Sequence, residues 1–160
     1  MGKMKYWNQA IDLLESSRSL LSDINPSEWA EKHRTMTTDV SPFPGPFSYD
    51  RTPYVREIID CLSPFHPARI VAIMKGAQIG ISSGLIDNGM VWIIKESPGN
   101  IMFLTGNADL AEDAMNKRID QMIESCGLRN MIRPNVLRKK NMRTGDTNKS
   151  KEFPGGSLIA

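Results

Sequence analysis

The chain has 160 residues, 40% of them apolar, and its 20 Lys and Arg against 18 Asp and Glu leave a net charge of only +2. That length and apolar share are enough for one domain with a core. No uncharged apolar stretch approaches the ~20 residues of a membrane span, and Asn8, Gln9, Asp12 and Glu15 interrupt the first apolar positions, which excludes a signal peptide and points to a soluble intracellular protein.

The first predicted element is a helix over residues 6–21, with Ala10, Ile11, Leu13, Leu14, Leu20 and Leu21 on a mostly one-sided apolar face. A second helix covers residues 25–34: Asn25 caps it, Pro26 suits its first position and Glu28 stands where a capping-box carboxylate belongs. Pro42, Pro44, Gly45 and Pro46 then rule out a regular helix or central strand, so residues 35–50 read as an extended linker and the one domain boundary. A third helix runs over residues 52–62, with Val55, Ile58, Ile59 and Leu62 at helical spacing.

Residues 70–74, Ile-Val-Ala-Ile-Met, form an apolar run that reads as a strand, followed by the loop KGAQIGISS and a helix ending near VWIIKE. Strand, loop, helix is the setting of a phosphate loop, in which backbone N–H groups cradle phosphate oxygens, a Lys reaches the outer phosphates and a hydroxyl holds magnesium. Aligned on Gly80, the hydroxyl is Ser82. Ile81 occupies the usual Lys position, and Lys75 stands where the first Gly belongs. A flexible ammonium at Lys75 needs reach more than fixed geometry to arrive at the same phosphates. A strand-to-helix turn with two Gly and a capping Ser, requiring no ligand, is the alternative.

Residues 101–104 read as a short strand and residues 108–125 as a long amphipathic helix, whose apolar stripe of Ala111, Met115 and Met122 includes Arg118. An Arg within such a stripe wants an anionic partner: the γ-phosphate of a nucleotide, an internal carboxylate, or water reached by its stem. Between residues 129 and 151 there are eight basic residues and one acid, Asp146. Arg138, Lys139, Lys140 and Arg143 there suit either a DNA backbone or a solvated loop ahead of a strand at residues 157–159, the loop being the default. Cys61, Cys126, His33 and His66 form no cluster at ligand spacing and read as structural or surface residues.

Trp29-Ala30-Glu31, Arg51-Thr52-Pro53-Tyr54, the early-Lys loop and the later EFPGGSLIA occur in an order that resembles the large subunit of tailed-phage terminases of the lambda-like class, over residues 27–160. The resemblance implies a P-loop NTPase-type α/β three-layer sandwich with an incomplete parallel sheet, preceded by N-terminal helices. It divides the chain into a helical arm (1–34), a Pro-rich linker (35–50) and the N-terminal part of an ATPase domain (51–160). The function it implies is a viral DNA-packaging motor that feeds double-stranded DNA into a capsid in the host cytoplasm. ATP and magnesium are its cofactors, the small terminase subunit and capsid portal its partners, and a homo-oligomer its full-length state. Residue by residue, Lys75 and the loop from Gly76 through Ala77, Gln78, Ile79, Gly80 and Ile81 to Ser82 would hold phosphate, and Ser82 the metal. Lys75 and Arg118 would serve catalysis. Tyr54, on the adenine side, would stack on the base or sit partly buried in the core, with Tyr49 a weaker candidate for stacking.

The phosphate-loop fold also needs a strand ending in Asp-Glu to hold magnesium and orient the attacking water. No such run occurs in the sequence, and VWIIKE has Lys95 where the Asp would stand. The expectation is therefore a fragment that binds ATP weakly with negligible turnover. A noncatalytic module that keeps the loop as scaffold, or another P-loop motor such as a helicase, are the alternatives.

Overall fold

The computed structural model describes residues 24–38, 41–138 and 142–160. The helix expected over residues 6–21 lies outside them. The first described helix, α1 (Pro26–His33), begins at Asn25 in extended conformation with Pro at its first position. Its Trp29 and Ala30 are fully buried in two separate apolar clusters, so this one turn joins both halves of the core. Ser27 donates from its N–H and its Oγ to the two oxygens of Asp60, at 2.9 and 2.8 Å. Those bonds fasten α1 to α2 (Pro53–Asp60), which buries Val55 and Ile59.

Between α1 and α2 the chain forms a short antiparallel pair. Strands β1 (Thr35–Met36) and β2 (Gly45–Pro46) pair antiparallel, Thr35 facing Pro46. Phe47 N–H donates to the Arg34 carbonyl at 3.0 Å. The Pro residues prevent a longer ladder by removing donors, and the loop they form is anchored at both ends.

Residues 70–74 depart from the strand expected of them. They have no regular secondary structure, and Val71 and Ile73, though 41% and 36% exposed, line an apolar cavity with Ile58, Leu62, Leu85 and Ile93. Ile70 and Met74 face outward, 87% and 103% exposed. No strand among the described residues pairs with the run. Alternation places side chains, but a strand also requires a neighbour's N–H and C=O groups.

After the loop the chain winds as a π-helix over Ser82–Asp87 and continues as α3 (Asn88–Glu96). Met90, Val91, Trp92 and Ile94 are all buried, which is why α3 is apolar around most of its circumference and runs through the molecule's centre. Gly84 allows α2 to come close: a Cβ there would lie 3.2 Å from Val55 Cγ1.

The sheet is mixed, where a parallel one was expected. Strand β3 (Ile101–Met102) runs parallel to β7 (Gly156–Ile159), and β7 pairs antiparallel with β6 (Ser150–Phe153). A separate hairpin joins β4 (Val136–Arg138) to β5 (Met142–Thr144). The long helix appears over the residues predicted, as α4 (Ala108–Ala114), a π-helical stretch (Met115–Ile119) and α5 (Asp120–Ser125). Asn107 caps it by accepting from Leu110 N–H at 2.8 Å. Met115, Ile119, Met122 and Ile123 pack against α3, Phe153 and Leu158, giving a mixed α/β domain whose main cluster lies between the helices and the sheet.

Candidate functional site

The loop ahead of α3 turns at Ala77 and Gln78, with Gln78 at φ 56° and Gly80 at φ 80°. Gly80 suits that left-handed backbone at no steric cost, and a Cβ there would also meet Thr52 Cγ2 at 3.0 Å. Ile79 and Ile81 turn their side chains into the smaller apolar cluster, so what they can offer a ligand is backbone. Gly76, Ala77 and Gln78 are exposed. Lys75 is exposed as well, its Nζ donating to the Gly76 carbonyl at 3.4 Å.

The structure brings Tyr54 to the loop: its hydroxyl donates to the Ile79 carbonyl at 2.6 Å while half of the residue stays exposed. Beside this contact lies a cavity of about 450 Å³ lined by Phe43, Phe47, Arg51, Tyr54, Gln78 and Gly80. The Arg51 guanidinium sits 4.3 Å from the Phe43 ring centroid at its rim. The cavity therefore combines aromatic faces, one cation and loop backbone.

Tyr49, the weaker candidate for a base-stacking role, is 1% exposed and is a core residue. Its hydroxyl donates to the Gly84 carbonyl at 2.6 Å and accepts from Asn88 Nδ2 at 3.0 Å. Burial pushes its phenol up to about 12, against the pull of Asn88 and Arg34.

Ser82 is exposed at the start of the π-helix, and no hydrogen-bond partner of its hydroxyl is found among the described residues. A free hydroxyl at that position fits a metal ligand. Arg118 lines a cavity with Ser82 and pairs with Asp87, its Nε and Nη2 donating to the two carboxylate oxygens. Of the three partners open to it in the sequence, the structure gives it the internal carboxylate. Burial raises the Asp87 carboxyl above its ordinary value, opposed by Arg118 and then Arg34.

Arg34, Asp87 and Asn88 were not singled out by sequence. Arg34 is 2% exposed and donates to the Ser83 carbonyl at 2.8 Å, to Ser83 Oγ at 2.7 Å and to Asn88 Oδ1. Burial lowers its pKa, while Asp87 pulls it the other way. The one available signal was a lone Arg directly behind a helix of the Trp-Ala-Glu segment. Cys61 Sγ and His66 Nε2 also come within 3.9 Å, but no group of three potential ligands forms among the described residues.

The basic stretch is partly neutralised from within. Lys151, 2% exposed, bonds Asp120 and Asp146 at 2.9 and 2.6 Å. Arg129 reaches the same two carboxylates at 3.4 and 2.7 Å. Those two cations are structural. No helix among the described residues is long and apolar enough to cross a membrane.

Comparison with curated proteins and with solved structures finds no match. A family model described as the phage terminase large subunit gpA, ATPase domain, matches residues 41–160, which takes in α2, the loop, Ser82 and every strand of the mixed sheet. With three quarters of its length matched from the Pro-rich loop through β7, the chain belongs to the family of the phage terminase large subunit gpA ATPase domain.

Proposed function

We propose that this chain forms the ATP-binding part of a viral DNA-packaging motor, using the loop from Lys75 to Ser82 as a variant phosphate loop. The observation that carries this reading is the hydrogen bond from Tyr54 to the Ile79 carbonyl. It joins an exposed aromatic to the loop at the edge of an aromatic-lined cavity. A nucleotide lying there would put its base toward Tyr54 and its phosphates toward the amides of Gly76 through Gly80. Lys75 would swing from its long contact with Gly76 onto the outer phosphates. Ser82 would hold magnesium, which neutralises charge developing on the transferred phosphoryl group.

A P-loop three-layer sandwich, coupling of hydrolysis to double-stranded DNA translocation, and work in the host cytoplasm with the small subunit and the portal belong to the same proposal. Arg118, held by Asp87, would act on a γ-phosphate only after exchanging that partner. For these 160 residues binding without turnover is expected, since the sequence has no apolar run ending in Asp-Glu. A second reading, a noncatalytic module that keeps the loop as scaffold, is favoured by the run at residues 70–74, which pairs with no strand among the described residues.

Magnesium-dependent binding of a fluorescent ATP analogue to the wild type and to Lys75→Ala separates the two. Saturable binding lost in the variant supports the motor reading. Equal binding by both proteins, or none by either, favours the scaffold.

A further inference from the structure

We infer that Arg34 is a positioning residue for the phosphate loop, acting through Ser83 to set the Ser82 hydroxyl; this rests on the nucleotide reading of the same loop. Arg34 precedes the residues matched by the family model, and it reaches the site from the end of α1.

The first turn after the loop is π-helical, and its carbonyls receive donors from outside the helix. The Ser83 carbonyl takes Arg34 Nη1 at 2.8 Å, and the next carbonyl, Gly84, takes the Tyr49 hydroxyl at 2.6 Å. Arg34 Nη2 holds the Ser83 hydroxyl at 2.7 Å. Ser83 is thus gripped at both backbone and side chain by one planar fork, and Ser82 is the residue before it. Phe47 covers the guanidinium from 4.9 Å and fixes its plane.

Arg34 spends all its hydrogen bonds on uncharged acceptors. The adjacent carboxylate, Asp87, is engaged by Arg118. Two guanidiniums against one carboxylate leave a positive excess beneath the loop. A cavity of about 450 Å³, lined by Arg34, Ser82, Ser83, Asp87 and Arg118, opens there. An anion at the loop feels that excess, and the turn that begins at Ser82 is held from below through Ser83.

Lys in place of Arg34 keeps the charge but cannot hold three acceptors in one plane. The test uses the full 160-residue chain as wild type, Arg34→Lys and Ser83→Ala. It measures affinity for ATP with and without magnesium, together with amide hydrogen exchange at residues 80–85 without nucleotide. The expected result is about tenfold or greater loss of affinity for Mg–ATP in both variants, with metal-free ATP within about threefold and faster exchange at residues 80–85.

Mg–ATP affinity unchanged in both variants overturns the inference. Equal losses with and without magnesium also overturn it, because a general structural defect does not distinguish the two. Should Arg34→Lys not fold, Ser83→Ala decides alone. Absence of binding by the wild type refutes the nucleotide reading; the exchange arm then judges Arg34, unchanged rates refuting its hold on this turn and faster rates supporting it.

Discussion

Tyr49 and Tyr54 lie in one short segment and take opposite roles because of the direction each faces. Tyr54 is half exposed and touches the loop, while Tyr49 is enclosed and satisfies the Gly84 carbonyl and Asn88. Sequence could place both near the loop through the Arg-Thr-Pro-Tyr segment but could not say which was buried, since that depends on the approach of α2 to Gly84. Tyr49→Phe removes two buried hydrogen bonds and leaves Asn88 Nδ2 and the Gly84 carbonyl only each other, at 3.2 Å, so it should lower stability by about 1 kcal/mol in denaturant unfolding. The phenol's pKa is raised to about 12 on folding. The unfolded chain's tyrosine ionises first, so this group's contribution falls as pH rises past about 10. The stability difference between wild type and Tyr49→Phe should therefore shrink between neutral pH and that range; a constant difference would mean that Tyr49 is not buried as described.

At the scale of elements, helices were legible and pairing was not. The stripe Ala111, Met115, Met122 is buried as its spacing requires, and Asn107 caps the helix that carries it. By contrast the run at residues 70–74 has the composition of a strand and no pairing partner among the described residues, a property that no local pattern encodes. β6 was missed because Ser150, Lys151 and Glu152 have the look of the basic loop around them. Its Lys151 is in fact the buried centre of a network with Asp120, Asp146 and Arg129, which holds the β6–β7 hairpin to α5. Lys151→Ala leaves Asp120 and Asp146 with only the half-exposed Arg129 to pair them. It should cost about 3 kcal/mol, toward the lower end for broken buried pairs because Asp120 keeps 26% of its side-chain exposure. Thermal unfolding checks this, and a change of less than a few tenths of a kcal/mol would show the network to be solvent-screened.

At the scale of the molecule, the exposed apolar side chains among the described residues include Ile70 and Met74 on the run ahead of the loop, and Met102, Leu104 and Ile159 on one side of the sheet. Apolar and unpaired backbone is a template for self-pairing. The chain should therefore self-associate as its concentration rises, and Ile70→Lys with Met74→Lys should reduce that association in light scattering without lowering the thermal midpoint. Association undiminished in the double variant would place the sticky surface elsewhere.

The same run leads directly into Lys75, so the account's central claim concerns what that exposed loop holds. Amide hydrogen exchange of residues 76–82, compared between Mg–ATP and AMP, tests it most directly. The account predicts that Mg–ATP slows exchange across these amides and that AMP, lacking the outer phosphates, does not. Saturable ATP binding that leaves residues 76–82 unprotected would contradict it.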